Sequence, residues 1–244
     1  MTEDALLIFA GALIGGFVSG LTGFGTGISA MPIWLLVTPP VIAAQLAASC
    51  GLLGQLQTLP RIWSEIRWRA VGPFIIAGLI GVPIGIYFLP MIPLPMFRLG
   101  IGILLVIFCG IMLMSGETYR LKQRYPAADL GVGFAGGLLA GLAGLSGPIP
   151  TAWSTLQTWS RDEKRALFQS FNMTILAAML TASALTGLMS WAFARAFAFA
   201  LFGTIIGVAI GGFIYQRLDT RGFDRIVLAV LMISGLSLIW TSLA

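Results

Sequence analysis

The sequence predicts an all-α membrane protein that crosses a lipid bilayer several times. Of its 244 residues, 58% are apolar and 9% are charged, whereas about a quarter of the residues in a soluble domain are charged. Mean hydropathy is +0.96. A bilayer crossing needs about 20 mostly apolar residues, and segments of that kind follow one another along the chain. The eight apolar segments are 5–36, 41–60, 70–92, 97–115, 130–157, 166–190, 196–216 and 222–244.

The chain contains an internal repeat. Residues 15–25 read GGFVSGLTGFG, and residues 136–146 read GGLLAGLAGLS. A second match pairs GVPIG at 81–85 with GVAIG at 207–211. Repeats of this kind indicate duplicated structural units. We therefore divide the chain into three parts. These are a first membrane repeat at 1–116, a cytoplasmic linker at 117–129 and a second membrane repeat at 130–244.

The basic residues favour six complete crossings. Of the 14 Lys and Arg residues, 12 form four clusters of three between apolar segments, and the others are Arg98 and Arg195. Eight full crossings would divide them equally between the two faces. If segments 5–36 and 130–157 are re-entrant hairpins, all four clusters share one face, as the positive-inside rule expects. Each repeat then has an odd number of crossings, so the repeats are inverted, as in many secondary transporters. Both termini would lie outside, and eight full spans remain the alternative.

The Gly-rich elements at 20–29 and 141–150 are the predicted functional sites. Several glycines in succession disfavour a continuous helix, and Pro148 and Pro150 lack the N–H groups that a helix interior needs. A helix that restarts after such a break presents free N–H groups, which form an anion site. The alternative is that the glycines only allow close helix packing.

Polar residues early in the following segments extend this site. Gln45 and Ser49 share one helix face, as do Gln169 and Asn172. They are expected either to contact substrate or to hydrogen-bond between helices. The complete set of candidate substrate-binding residues is Thr22, Gly23, Phe24, Gly25, Thr26, Gly27, Ser29, Gln45, Ser49, Gly144, Leu145, Ser146, Gly147, Gln169 and Asn172.

The composition argues against catalysis and against metal binding. The chain has no His, and every Asp and Glu lies at the end of an apolar segment or in a loop. The isolated Cys50 and Cys109 make no metal site. We therefore expect no cofactor, no metal, no enzymatic activity and no proton relay through a carboxylate inside the membrane. Arg98 and Arg195 are expected either to guide an anion or to extend to the lipid headgroups.

The Gly-rich elements resemble those of the TauE/SafE sulfite exporter family. The resemblance rests on ALIGGFVSGLTGFGTGISAMP at 12–32 and GFAGGLLAGLAGLSGPIPTAW at 133–153, and it extends along the whole chain. In this sequence Phe24, Thr26 and Ser29 interrupt a glycine run that is often denser in the family. The resemblance implies a multi-pass protein of the bacterial inner membrane that exports sulfite, sulfoacetate or a related organosulfonate.

The expected function is therefore secondary transport by alternating access. The alternatives are a channel-like conduit for small anions and a sodium- or proton-coupled carrier of another organic anion. The expected partners are a small anion and membrane lipid. Nucleic acid is not expected, and the sequence leaves a homodimer open.

Overall fold

Nine α-helices make up most of the described chain. The computed structural model describes residues 2–58, 66–114, 126–155, 157, 161–215, 232, 235–236, 238–240 and 242. The helices are α1 (Thr2–Thr22), α2 (Thr26–Val37), α3 (Pro40–Thr58), α4 (Trp68–Phe88), α5 (Leu94–Met114), α6 (Pro126–Ala143), α7 (Pro148–Thr155), α8 (Arg161–Leu185) and α9 (Trp191–Tyr215), with a 3₁₀ turn at Leu89–Met91. The predicted all-α class is confirmed. Most of segment 222–244 lies outside the described residues.

Six of the described helices are long and apolar enough to cross a membrane, which confirms a multi-pass membrane protein. They are α1, α4, α5, α6, α8 and α9. Helix α3 has 19 residues but is not among them, since it carries Gln45, Gln55 and Gln57. Helix α6 begins at Pro126, inside the predicted linker 117–129, because proline is well tolerated in a first helical turn. The rest of that linker lies outside the described residues.

Each Gly-rich segment folds into a hairpin of one long and one short helix. In the first hairpin, α1–α2, the indole N–H of Trp34 donates to the carbonyl of Ile8 over 3.0 Å. In the second hairpin, α6–α7, the indole N–H of Trp153 donates to Asp129 Oδ1 over 2.9 Å. Each contact joins the end of the short helix to the beginning of the long one. The chain therefore turns back within each segment, and the two helices of each hairpin run antiparallel.

Glycines allow the long helix of each hairpin to pack closely on a helix of the other repeat. A Cβ at Gly16 of α1 would lie 2.6 Å from the carbonyl oxygen of Thr204 in α9, and one at Gly81 of α4 would lie 2.6 Å from the nitrogen of Leu138 in α6. We call these close contacts the α1–α9 seam and the α4–α6 seam. Along each seam the numbers of the contacting residues increase together in both helices, so the paired helices run parallel. The α1–α9 and α4–α6 seams thus join the two repeats through matching pairs.

Three contacts define two faces of the helix bundle. Arg67 and Glu163, just before α4 and at the start of α8, form an ion pair of 2.7 Å. Gln45 near the start of α3 donates to the carbonyl of Leu188, just beyond α8. Arg98, the fifth residue of α5, donates to the carbonyl of Leu35 in the last turn of α2. Helices α4 and α8 therefore begin at one face, which we call the linker face. Helix α6 begins there too, because it runs parallel to α4. Helix α5 ends at this face. Helices α3 and α5 begin at the opposite face, which we call the distal face.

Candidate functional site

Each hairpin reverses at a short turn that contains glycine in the left-handed region. In the first turn Gly23 has φ 81° and Gly25 has φ 95°, and in the second turn Gly144 has φ 66°. Such backbone angles strain any residue with a side chain. The Thr22 hydroxyl donates to the carbonyl of Phe24 over 2.6 Å, and the Gln55 amide donates to the carbonyl of Gly23 over 3.0 Å. The first turn is therefore held from its own chain and from α3.

The two turns meet at one cavity of about 30 Å³, which is room for about two water molecules. Leu145 of the second turn lies against Gly27 at the start of α2, and Phe24 of the first turn lies against Gly147 just before α7. Each turn thus contacts the beginning of the other hairpin's short helix. The cavity is lined by Gly25, Thr26, Gly27, Ile28, Ala47, Gly51, Gln55, Gly144, Leu145, Ser146, Gly147, Pro148, Asn172 and Leu176.

Residues that carry hydrogen-bond donors line this cavity from both repeats. At the start of α2, the backbone N–H groups of Thr26, Gly27 and Ile28 have no acceptor in the described part of the chain. The Thr26 hydroxyl is also without a partner there, although its side chain is only 2% exposed. On α8, Asn172 accepts a 2.7 Å hydrogen bond from the Ser146 hydroxyl at Oδ1, which leaves its amide N–H groups to donate.

The cavity lining is uncharged. No Asp, Glu, Lys or Arg is among the lining residues. Within the described residues, no three His, Cys, Asp or Glu side chains lie close enough to hold a metal ion. The site therefore offers N–H and O–H donors together with the positive end of the α2 dipole, a combination that suits an anion better than a cation.

Eight of the fifteen candidate residues line the cavity. They are Gly25, Thr26, Gly27, Gly144, Leu145, Ser146, Gly147 and Asn172. The seven that do not line it are Thr22, Gly23, Phe24, Ser29, Gln45, Ser49 and Gln169.

The residues outside the lining have other surroundings. Gln45 joins α3 to the chain beyond α8 through its contact with Leu188. Ser29, Ser49 and Gln169 are buried. Arg98 donates to the carbonyl of Leu35 over 2.6 Å, where a cation is favoured by the C-terminal end of the α2 dipole. Arg195 is exposed.

Sequence reasoning named Gln45 and Ser49 from α3 and missed the residues of this helix that line the cavity. Ala47, Gly51 and Gln55 line it together, and their spacing of four residues places them on one helix face. That spacing, which ends on a glutamine inside a mostly apolar segment, is a signal from which the lining face could have been predicted. The roles of Trp34 and Trp153 were also missed, because a hairpin contact depends on where each turn falls.

The comparisons with known proteins agree with this architecture. The family model described as Sulfite exporter TauE/SafE matches residues 7–238, nearly the whole chain. No curated protein and no solved structure matches the chain. The match extends over both hairpins and both glycine seams. The chain therefore belongs to the TauE/SafE sulfite exporter family.

Proposed function

We propose that this protein exports a small sulfur-containing anion, sulfite or an organosulfonate, as a secondary transporter. The observation that carries the proposal is the uncharged cavity between the two hairpin turns, where Thr26, Asn172 and the first N–H groups of α2 supply donors. Sulfite and sulfonate groups present several oxygen acceptors on one sulfur atom. A cluster of converging N–H and O–H donors matches that shape.

The strength of this site suits transport. A hydrogen bond to a charged group contributes about 1.5–3 kcal/mol, and a helix N-terminus contributes about 0.3–1 kcal/mol, up to about 2 kcal/mol when it is partly buried. No fully charged side chain lines the cavity. A few such donors hold an anion selectively but release it readily, whereas a buried Arg would retain it.

The direction of transport follows from the membrane potential. Moving one negative charge out of a cell is favourable by about 2.3 kcal/mol for each 100 mV of negative-inside potential. Anion export of this kind needs no proton relay, and no carboxylate lines the cavity.

We also propose that α1–α2 and α6–α7 are re-entrant hairpins that enter from opposite faces, although α1 and α6 are themselves long enough to span a membrane. The six complete crossings are then α3, α4, α5, α8, α9 and the segment 222–244. The Trp34–Ile8 and Trp153–Asp129 contacts support the hairpins. The Arg67–Glu163 ion pair supports the crossing count, since eight alternating spans would start the third and sixth segments at opposite faces. The two repeats are then inverted, and alternating access is a motion of one repeat against the other around the cavity.

The topology is tested with fluorescent-protein fusions in a bacterial host. A fluorescent protein that folds only in the cytoplasm should be bright when inserted after Glu117 and dark when fused after Ala244. Bright fusions at both positions would contradict the proposed crossing count.

The function is tested with purified protein in liposomes. Under an imposed potential, vesicles should release trapped sulfite or sulfoacetate faster than protein-free vesicles do. Thr26→Val keeps the side-chain shape but removes the hydroxyl, and loss of a hydrogen bond to a charged group, about 1.5–3 kcal/mol, should weaken anion affinity by roughly 10–150-fold. The matched control is Thr181→Val on α8, because Thr181 is exposed and its hydroxyl bonds only within its own helix.

Two results would decide against the proposal. If no sulfur-containing anion crosses the vesicle membrane, the substrate class is wrong. If Thr26→Val and Thr181→Val transport equally well, the cavity is not the binding site. Accelerated exchange when the same anion is present on both sides would identify a carrier and not a channel-like conduit.

A further inference from the structure

Two bulky side chains occupy matching places in the hairpin turns. Phe24 and Leu145 are the only side chains larger than serine in the turn residues 23–25 and 144–147. Phe24 Cδ2 would lie 3.6 Å from a Cβ at Gly147, and Leu145 Cδ2 would lie 2.6 Å from a Cβ at Gly27. Each side chain therefore packs over a glycine at the start of the other hairpin's short helix, Gly147 for Phe24 and Gly27 for Leu145. Both glycines line the cavity.

Phe24 lies on the linker-face side of the cavity. Its ring makes edge-to-face contacts with Phe108 and Phe168, each at a centroid distance of 6.1 Å. Phe108 is in the last third of α5, which ends at the linker face, and Phe168 is in the first third of α8, which begins there. Three aromatic rings, from the first turn, α5 and α8, thus pack between the cavity and this face.

Leu145 lies on the distal side. Its neighbour Gly144 packs against Ala44 and Ala48 in the first half of α3, which begins at the distal face. By contrast, Gly23 of the first turn accepts its hydrogen bond from Gln55, near the end of α3. Along α3 the first turn is therefore closer to the linker face and the second turn is closer to the distal face.

We propose that Phe24 and Leu145 are the two barriers that close the cavity towards opposite membrane faces, with Phe24 setting the width of the passage on the linker side. The proposal rests on the proposed transport function. The aromatic barrier shares its contacts with α5 and α8, so a shift of one repeat against the other separates the rings. The leucine barrier is smaller and is held by close packing against Gly27.

Cysteine accessibility tests this proposal independently of substrate identity. The reporter is Leu176→Cys, which lines the cavity, in a background where the buried Cys50 and Cys109 are replaced by alanine. Vesicles of each orientation are treated with a membrane-impermeant thiol reagent. Phe24→Ala should accelerate labelling from the linker face by about tenfold, equivalent to about 1.4 kcal/mol. Leu145→Ala should accelerate labelling from the distal face only.

The controls separate a barrier from a general loosening of the fold. Phe199→Ala removes an aromatic ring that is 50% exposed on α9, and it should leave labelling from both faces unchanged. If Phe24→Ala yields no folded protein, Phe24→Leu should still show faster labelling from the linker face, by a smaller factor. Unchanged labelling, or faster labelling from the same face in the Phe24 and Leu145 variants, would overturn the proposal.

Sulfite flux through the same variants distinguishes this proposal from the proposed function. Labelling that changes as expected without any sulfur-anion flux would retain the barriers and reject the substrate. Flux without the expected change in labelling would retain the substrate and reject the barriers.

Discussion

The two hairpins share a plan but differ in what they present to the cavity. The short helix of the first, α2, has 12 residues and begins with three consecutive N–H groups that have no acceptor among the residues that the structure describes. The short helix of the second, α7, has 8 residues, and Pro148 and Pro150 leave Ile149 as the one N–H donor among its first three residues. The two hairpins thus share a frame, and the backbone donors at the cavity are concentrated in the first.

The contacts that close the hairpins differ as well. Trp34 donates to a backbone carbonyl, whereas Trp153 donates to the fully buried carboxylate of Asp129. A hydrogen bond to a charged group is stronger than one between neutral groups. The second hairpin, with fewer backbone donors, is therefore the one with the stronger internal contact. We infer that the first hairpin mainly supplies hydrogen-bond donors to the cavity, whereas the second mainly stabilises the fold around it.

The largest expected effect comes from breaking the seams that both hairpins share. Gly137→Val should destabilise the protein by about 3 kcal/mol or more, at the upper end of overpacking costs, since the new side chain meets the backbone of Gly78. Gly20→Val should have a similar effect, because it meets the backbone of α9. Thermal unfolding of the detergent-solubilised protein measures both.

Gly131→Val on α6 and Gly212→Val on α9 are the controls for the seams. A Cβ at either position has no neighbouring atom within 4 Å in the described structure, so each variant should unfold within about 0.5 kcal/mol of the original protein. Equal losses at seam and control positions would show that the close helix contact is not the cause.

A smaller effect is expected from the carboxylate that closes the second hairpin. Asp129→Leu leaves the Trp153 indole without this acceptor and should cost about 1–3 kcal/mol of stability. Asp129→Asn keeps an acceptor oxygen and should cost less. The control is Asp4→Asn, since Asp4 is exposed at the start of α1. If Asp129→Leu and Asp4→Asn unfold at the same temperature, the second hairpin does not depend on this contact.

The smallest effect is expected from restoring a donor to the second hairpin. Pro148→Ala adds an N–H at the cavity, and a helix N-terminus contributes about 0.3–1 kcal/mol to an anion. Sulfite should then bind roughly two- to fivefold more tightly, as measured by the shift in unfolding temperature with sulfite concentration. A weaker affinity would mean that the proline shapes the cavity more than it limits the donors.

The sequence predicted the hairpins because their cause is local. Glycine at 23, 25 and 144 permits backbone angles that other residues avoid, and the proline after the second turn reinforces the break. Ser146 and Asn172 were both candidates, and the structure joins them through a hydrogen bond. Sequence patterns also predicted the helical class and the repeated crossings, because hydrophobic length alone determines them.

Other features depend on contacts between distant segments. The interaction of Gln55 with Gly23 requires α3 to pass beside the first turn, and the ring contacts of Phe24 require α5 and α8 to meet there. Neither follows from spacing within one helix. The unequal lengths of the hairpin helices were also not predicted, because the segment ends were taken from the apolar runs, whereas α1 and α6 begin before those runs, at Thr2 and Pro126.

The seam between α1 and α9 can form only late in translation. Helix α1 emerges from the ribosome well before α9, so its glycine face has no partner from the second repeat during most of translation. The α4–α6 seam likewise forms only after the linker has been synthesised. We therefore expect each repeat to need the other before its glycine face is covered. A nascent chain stopped after the first repeat is expected to be inserted but exposed to quality-control proteases.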